Sequence, residues 1–263
     1  MKYSNQLKVC YDAGLAASKK VMEIYESTKF DIITKEDDSP VTTADLASNE
    51  IIVSALRTAY PDYAILSEET LDDPARLKND YVFIIDPIDG TKDFIAHNNE
   101  FAINIALVHK CKAVLGLVFV PALNIVYIGI KKYGSYKRSL VSDEIKTLHV
   151  SNKKSDLTVL ISRFHCNDAE TSVIEKHNDR IKHIKTVGSA YKICCIAEGI
   201  AELTYRFNPG TKEWDTAAPQ VVLEAAGGRF IDFTTNKPML YNRDDVRNLK
   251  GYIAVNSKKN ILL

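Results

Sequence analysis

The chain has 263 residues, in which 34 lysines and arginines balance 34 aspartates and glutamates. That neutrality, with 46% hydrophobic and 26% charged residues, describes a globular protein with enough apolar material for a core. It excludes recognition of a nucleic-acid polymer or an anionic membrane by bulk charge, but leaves room for a local site that takes a small phosphorylated ligand.

Met1 to Cys10 mixes lysines with polar residues and has no apolar signal-peptide core. From Asn5 to Glu26, Leu7, Cys10, Ala13, Ala17, Val21 and Ile24 recur at helical spacing and predict an amphipathic helix. Lys35 to Thr43 reads as a polar loop, and Thr43 is expected to cap a second helix from Ala44 to about Ala59, just before Pro61. Tyr63 to Leu66 is strand-like. Tyr81–Ile85, Ala102–Val108, Ala113–Val120 and Ile125–Ile130 are short, β-branched or aromatic runs, and the last three lie close enough for an antiparallel meander. Tyr133 to Lys154 reads as a polar connection.

Strands and helices then alternate. Strands are expected at Leu157–Ser162, Ile181–Val187, Ala201–Tyr205, Arg229–Asp232 and Tyr252–Val255. Helices are expected at Asp168–His177, Ser189–Glu198 and Glu213–Ala226, the last closed by Gly227-Gly228. Helices with a meander, followed by alternating units, predict an α+β chain of two layered subdomains, 1–148 and 149–263. The five cysteines are odd in number and include no Cys-x-x-Cys pair, so neither a disulfide framework nor a zinc knuckle is indicated. Apolar runs such as Val114–Ala122 are too short to cross a bilayer. The expectation is a cytoplasmic protein without a membrane partner, with monomer and homodimer both open.

The strongest chemical signal is Ile84-Ile-Asp-Pro-Ile-Asp-Gly-Thr-Lys-Asp-Phe94. A buried strand runs into two carboxylates, Asp86 and Asp89. Pro87 is expected to stop the strand ladder, and Gly90 to permit a sharp turn. Such a turn aims Asp86, Asp89 and the Ile88 carbonyl at one point, while Gly90, Thr91 and Lys92 open a helical turn whose N–H groups attract phosphate oxygens. Hard oxygen ligands beside a phosphate-ready backbone describe a magnesium–phosphate site, although a plain surface turn uses the same residue types. Glu68 and Glu69, after the Tyr63–Leu66 run, and Asp215, at the start of a helix, are further acids; a solvated loop and a helix first-turn carboxylate explain them equally well when taken alone.

Ser67-Glu-Glu, Asp86-Pro-Ile-Asp-Gly-Thr91 and Trp214-Asp-Thr-Ala-Ala218 together resemble, in order and separation, the three signatures of the inositol monophosphatase-like, lithium-sensitive phosphatases. The resemblance runs over essentially the whole chain and implies a layered α-β-α-β-α sandwich with the active site between two subdomains. It also implies that Glu68, Asp86, the Ile88 carbonyl, Asp89 and Asp215 ligate two or three Mg²⁺ ions. The residues agree: converging carboxylates need cations to stay ionised, and these segments contain no sulfur or imidazole, which disfavours zinc. The implied chemistry is in-line attack of an activated water at phosphorus, with Glu68 and the Thr91 hydroxyl orienting that water. Asp45, in Thr42-Thr-Ala-Asp45, matches a carboxylate that partners Thr91, and it also reads as an ordinary first-turn acid.

Gly90-Thr-Lys-Asp-Phe94 is similar to the 3′(2′),5′-bisphosphate nucleotidase branch of that family, as is Gly188-Ser-Ala-Tyr-Lys192. That implies substrate contacts from Gly188, Ser189 and Lys192 and from Asp215, with Arg206 placed for the non-reacting phosphate. A second phosphate calls for its own cationic clamp, whereas an inositol pocket grips hydroxyl groups. Two departures adjoin the pocket: Ala190 replaces a serine, and Pro219, expected within the first turn of its helix, replaces a glycine. Trp214 is expected to pack as an anchor for Asp215, and Cys194-Cys195 to lie in the core. The implied function is hydrolysis of 3′-phosphoadenosine 5′-phosphate to AMP and phosphate. The alternatives are an inositol or sugar monophosphatase on the same scaffold, or a non-catalytic nucleotide- or metal-binding protein.

Overall fold

The computed structural model describes residues 2–27, 31–34 and 40–263. Helix α1, Ser4–Ser27, buries Cys10, Ala13, Ala17 and Val21 on one stripe, as their spacing predicts. Most of the expected loop at Lys35–Thr43 lies outside the described residues. Its end, Pro40–Thr42, is not loop but strand (β2), paired antiparallel with β1, Ile32–Thr34. Helix α2, Thr43–Ala59, starts one residue earlier than expected. Thr42, not Thr43, is its cap: the Thr42 hydroxyl accepts the Ala44 N–H, and Asp45 reaches back to the Thr42 N–H in a capping box.

The first sheet has seven strands: β3 (Ala64–Ser67), β4 (Tyr81–Asp89), β5 (Ala102–His109), β6 (Lys112–Val120), β7 (Ile125–Ile130), β8 (Gly134–Ser139) and β9 (Ile145–Thr147). Strand β3 runs parallel to β4, and every later pair is antiparallel. The last two strands occupy the expected polar connection. They pair by backbone at the sheet edge, where polar, partly exposed side chains are tolerated, so hydrophobic patterning does not reveal them. In the centre, strand parity divides the apolar residues between two cores. Phe83, Ile85, Ile103, Ile105, Leu115 and Leu117 face α1 and α2, and Val82, Ile84, Ala102, Ala106 and Val118 face the opposite side. Burial on both faces explains why these strands are continuous apolar runs.

Chain order then brings β10 (Leu157–Ile161), α4 (Asp168–Lys176), β11 (Ile181–Thr186), α5 (Tyr191–Ala197), β12 (Leu203–Arg206), α6 (Glu213–Ala225), β13 (Arg229–Asp232), β14 (Lys237–Pro238) and β15 (Tyr252–Val255). The second sheet has the order β11-β10-β12-β15-β13-β14, and its first three strands are parallel. Helices α5 and α6 lie between the two sheets and α4 covers the far face, which completes the α-β-α-β-α layering. Helix α6 approaches the first sheet along a glycine pair, Gly116 opposite Gly129. A Cβ on Gly116 would sit 2.3 Å from the Ala218 carbonyl oxygen, and one on Gly129 would sit 2.5 Å from the Val222 nitrogen. Absent side chains thus set the height of the helix that carries Asp215. Pro219 lies inside α6 rather than in its first turn. Lacking an N–H, it removes the donor that the Asp215 carbonyl takes in a regular helix.

Candidate active site between the two sheets

The strand ladder of β4 does not end at Pro87. Asp86 pairs with Asn104 and Asp89 with Ala102, so Pro87 and Ile88 together oppose one residue, Ile103, and the ladder resumes at Asp89. This bulge re-aims the two carboxylates. Ser48 pins it by donating to the Pro87 carbonyl at 2.8 Å. Gly90 then takes the left-handed conformation, φ +85°, and opens helix α3, Thr91–Ile95.

At the start of α6, the Lys212 N–H donates to Asp215 Oδ2 at 2.6 Å, the reach-back bond of a capping box, which fixes that carboxylate. The result is a trio: ligand oxygens of Asp86, Asp89 and Asp215 lie within 4.8 Å of one another. Glu68, at the end of β3, and Ile88 line the same cleft of about 570 Å³, with Glu68 outside the tight trio. Thr91 Oγ1 donates to Asp45 Oδ1 at 3.2 Å and lies 3.3 Å from the Ile88 carbonyl oxygen. Asp45 is buried behind Thr91 and does not line the cleft.

Burial raises Asp86 well above the ordinary carboxylate range, and the charges of Glu68, Asp89 and Asp215 push it further. Burial lifts Asp215 to about 8, with Asp89 and Glu68 adding to the shift. Asp89 is raised by burial to about 6, opposed by Lys192 and by the Ala190 N–H that donates to its Oδ2. Asp86 Oδ1 is buried with no hydrogen-bond partner. An orphaned carboxylate oxygen among acids that resist ionisation is suited to a cation, and an all-oxygen donor set suits a hard one.

The opposite wall is cationic. Lys192 and Arg206 are both buried and both face the cleft; Lys92 also faces it, but from α3 beside the acids. Burial lowers Lys192, and Asp89 partly offsets this. Its Nζ donates to the Ser189 carbonyl at 2.8 Å, and Arg206 donates to the His165 carbonyl. Ser189 and Gly90 line the cleft; Gly188 does not, because its N–H donates to Glu100 Oε2 at 2.9 Å. Trp214 packs beneath Lys212, 5.3 Å from ammonium to ring centroid, and its carbonyl approaches Asn104. It lines the cleft. The Ala190 contact to Asp89 is made by backbone, so the residue's missing hydroxyl does not affect it.

Sequence reading missed Asp93, Ser162, His165, Lys212 and Tyr252, all of which line the cleft. His165 is held neutral, pushed down to about 4 by burial first and then by Arg206, Lys92 and Lys192. One topological cue was available. Strands β10, β11 and β12 are parallel, and Ser162, Ser189 and Arg206 all sit at their carboxyl ends, the edge at which open α/β sheets gather ligand residues.

This fold and this acid-lined cleft define a phosphatase-type scaffold, and sequence comparison gives its family. The chain belongs to the inositol monophosphatase family, whose pattern matches residues 2–261. It is 37% identical over 235 residues to the 3′(2′),5′-bisphosphate nucleotidase CysQ of Salmonella typhimurium, covering 85% of this chain and 92% of that protein. It is 38% identical over 231 residues to the Escherichia coli protein of the same name, covering 86% and 89%. The crystal structure of CysQ from Bacteroides thetaiotaomicron superposes with a TM-score of 0.85 at 32% identity, covering 98% of this chain and 99% of that one.

Proposed function

We propose that this chain is a Mg²⁺-dependent 3′(2′),5′-bisphosphate nucleotidase that hydrolyses the 3′-phosphate of 3′-phosphoadenosine 5′-phosphate to AMP and phosphate. The observation that carries this reading is one cleft with two chemically opposite walls: an acid trio within 4.8 Å on one side, and the buried Lys192 and Arg206 on the other. A single phosphate needs only the first wall, and a nucleotide with two uses both. The names of the relatives point the same way.

In this reading Glu68, Asp86, the Ile88 carbonyl, Asp89 and Asp215 hold two or three magnesium ions. Bound there, magnesium would supply neutralisation of phosphate charge and an activated water for in-line attack. Asp45 accepts the Thr91 hydroxyl proton, which leaves the Thr91 oxygen free to accept one from the attacking water. Glu68, half-buried in the same cleft, helps to orient that water. The backbone of Gly90, Thr91 and Lys92 faces the transferred phosphate. Ser189, Lys192 and Arg206 hold the nucleotide and its second phosphate, with Asp215 as a further substrate contact, while Gly188 acts only through the turn it shares with Ser189.

A cytoplasmic setting fits five cysteines that are all free. Among the described residues no helix is long and apolar enough to cross a membrane.

The deciding measurement is phosphate release from 3′-phosphoadenosine 5′-phosphate, inositol phosphates and sugar phosphates, with and without Mg²⁺. Preference for the bisphosphonucleotide by at least about tenfold in kcat/KM is expected. Preference for an inositol or sugar phosphate would move the assignment to that branch, and calorimetric binding without phosphate release would make the protein a binding module.

A further inference from the structure

The segments that form the cationic wall leave the second sheet, while the acids hang on the first sheet and on α6. Glu100, in the turn between α3 and β5, joins the two sides. Its Oε2 accepts the Gly188 N–H at 2.9 Å and Arg163 Nη2 at 2.8 Å, and its main-chain carbonyl accepts the Ser189 hydroxyl at 2.5 Å. Ser189 stands at φ +48°, a left-handed conformation that a non-glycine residue adopts at a cost. The grip of Glu100 on the preceding Gly188 N–H and on the hydroxyl of the strained residue itself holds the turn.

The consequences run directly to the cleft. The next N–H in the turn, that of Ala190, donates to Asp89. The Ser189 hydroxyl accepts the Tyr191 N–H at 3.2 Å and so sets the start of α5, and the Ser189 carbonyl receives Lys192 Nζ. Arg163, the other partner of Glu100, lies in the loop that carries Ser162 and His165 to the cleft, and it also stands 3.7 Å from Asp93 of α3. The turn has no slack towards α3, because a Cβ on Gly188 would come within 2.6 Å of the Asp93 carboxyl carbon. Glu100 itself does not line the cleft, so it reaches a ligand only through these two segments.

We propose that Glu100 is a positioning residue for the substrate. It clamps the Gly188–Ala190 turn, and through Arg163 the Ser162–His165 loop, onto the acid-bearing half of the cleft, so that the cationic wall is in place before the nucleotide arrives. The proposal rests on the nucleotidase reading. Preordering of this kind lowers the cost of binding more than the chemical barrier, because the acids ride on β4 and α6 and only Asp89 also takes a bond from the turn.

The test is steady-state kinetics on 3′-phosphoadenosine 5′-phosphate with Mg²⁺ for Glu100→Ala, Glu100→Gln and Arg163→Met, with thermal unfolding in parallel. Loss of charge-assisted hydrogen bonds predicts a KM raised about tenfold in Glu100→Ala, with kcat held within about threefold. Glu100→Gln keeps an oxygen for the Gly188 N–H and recovers most of that loss, and Arg163→Met raises KM about threefold. An unchanged KM in Glu100→Ala, a loss confined to kcat, or a glutamine variant as impaired as alanine overturns the proposal. Should Glu100→Ala fail to fold, Arg163→Met decides, and an unchanged KM there overturns the clamp. A wild-type protein that releases no phosphate from the nucleotide overturns the nucleotidase reading and the positioning role with it.

Discussion

The two walls of the cleft are built differently. The anionic wall grows from short contiguous stretches: a bulge in β4 supplies Asp86 and Asp89, and the first turn of α6 supplies Asp215. Asp215 is fixed from within its own helix start by the Lys212 N–H, whereas the β4 bulge is pinned from α2 by Ser48 and Asp89 also accepts the Ala190 N–H. The cationic wall is assembled from the carboxyl ends of separate strands and is held by contacts that cross the molecule, such as Glu100 to Gly188 and Arg206 to the His165 carbonyl. In the proposed reading, chemistry that needs fixed distances between ligands draws on acids from short contiguous stretches, and recognition, which tolerates adjustment, draws on side chains gathered from separate strands.

The sharpest way to break this division is Asp89→Asn. Removing one anionic ligand of the proposed site is expected to lower kcat by about a hundred- to a thousand-fold while the fold survives, since the repulsion of Asp89 on Asp86 and Asp215 is relieved. Near-wild-type phosphate release, with unfolding temperature unchanged, would remove Asp89 from the chemistry.

Lys192→Met tests the other wall. It should raise KM for the bisphosphonucleotide by about tenfold and leave turnover of a simple monophosphate little changed. An equal loss on both substrates would place Lys192 with the chemistry instead of with recognition.

A smaller effect should appear in stability. Asp89 and Asp215 are raised in the fold to about 6 and about 8. Without metal, the folded state therefore holds more protons than the unfolded chain between the unfolded carboxylate range near 4 and those values. Stability of metal-free protein should fall as pH rises through this window, and added Mg²⁺ should raise the unfolding temperature more at pH 8 than at pH 5. Unfolding scans in chelator and in Mg²⁺ check this, and a shift that is larger at pH 5 would contradict the assignment of these acids.

Most of the anionic wall was legible beforehand because local rules generate it. The Asp-Pro-Ile-Asp-Gly turn, the first-turn placement of Asp215 and the alternating strands follow from φ restrictions, helix ends and period-two burial. Even there, neighbours changed details: pairing with β5 carries β4 past Pro87, and Thr42 displaces Thr43 as the cap of α2. Strands β8 and β9 were hidden because edge strands are specified by backbone pairing more than by apolar pattern.

The sequence by itself determined the layered class, the helices and central strands, and which acids were available. It did so because hydrophobic period and turn chemistry act between residues a few positions apart. Only the tertiary structure decided that Gly188 turns away to Glu100, that Asp93, Ser162, His165, Lys212 and Tyr252 enter the cleft, and that a glycine pair seats α6 low enough for Asp215 to meet Asp86. Those outcomes depend on packing distances between segments far apart in the chain, where a few tenths of an ångström decide which groups touch.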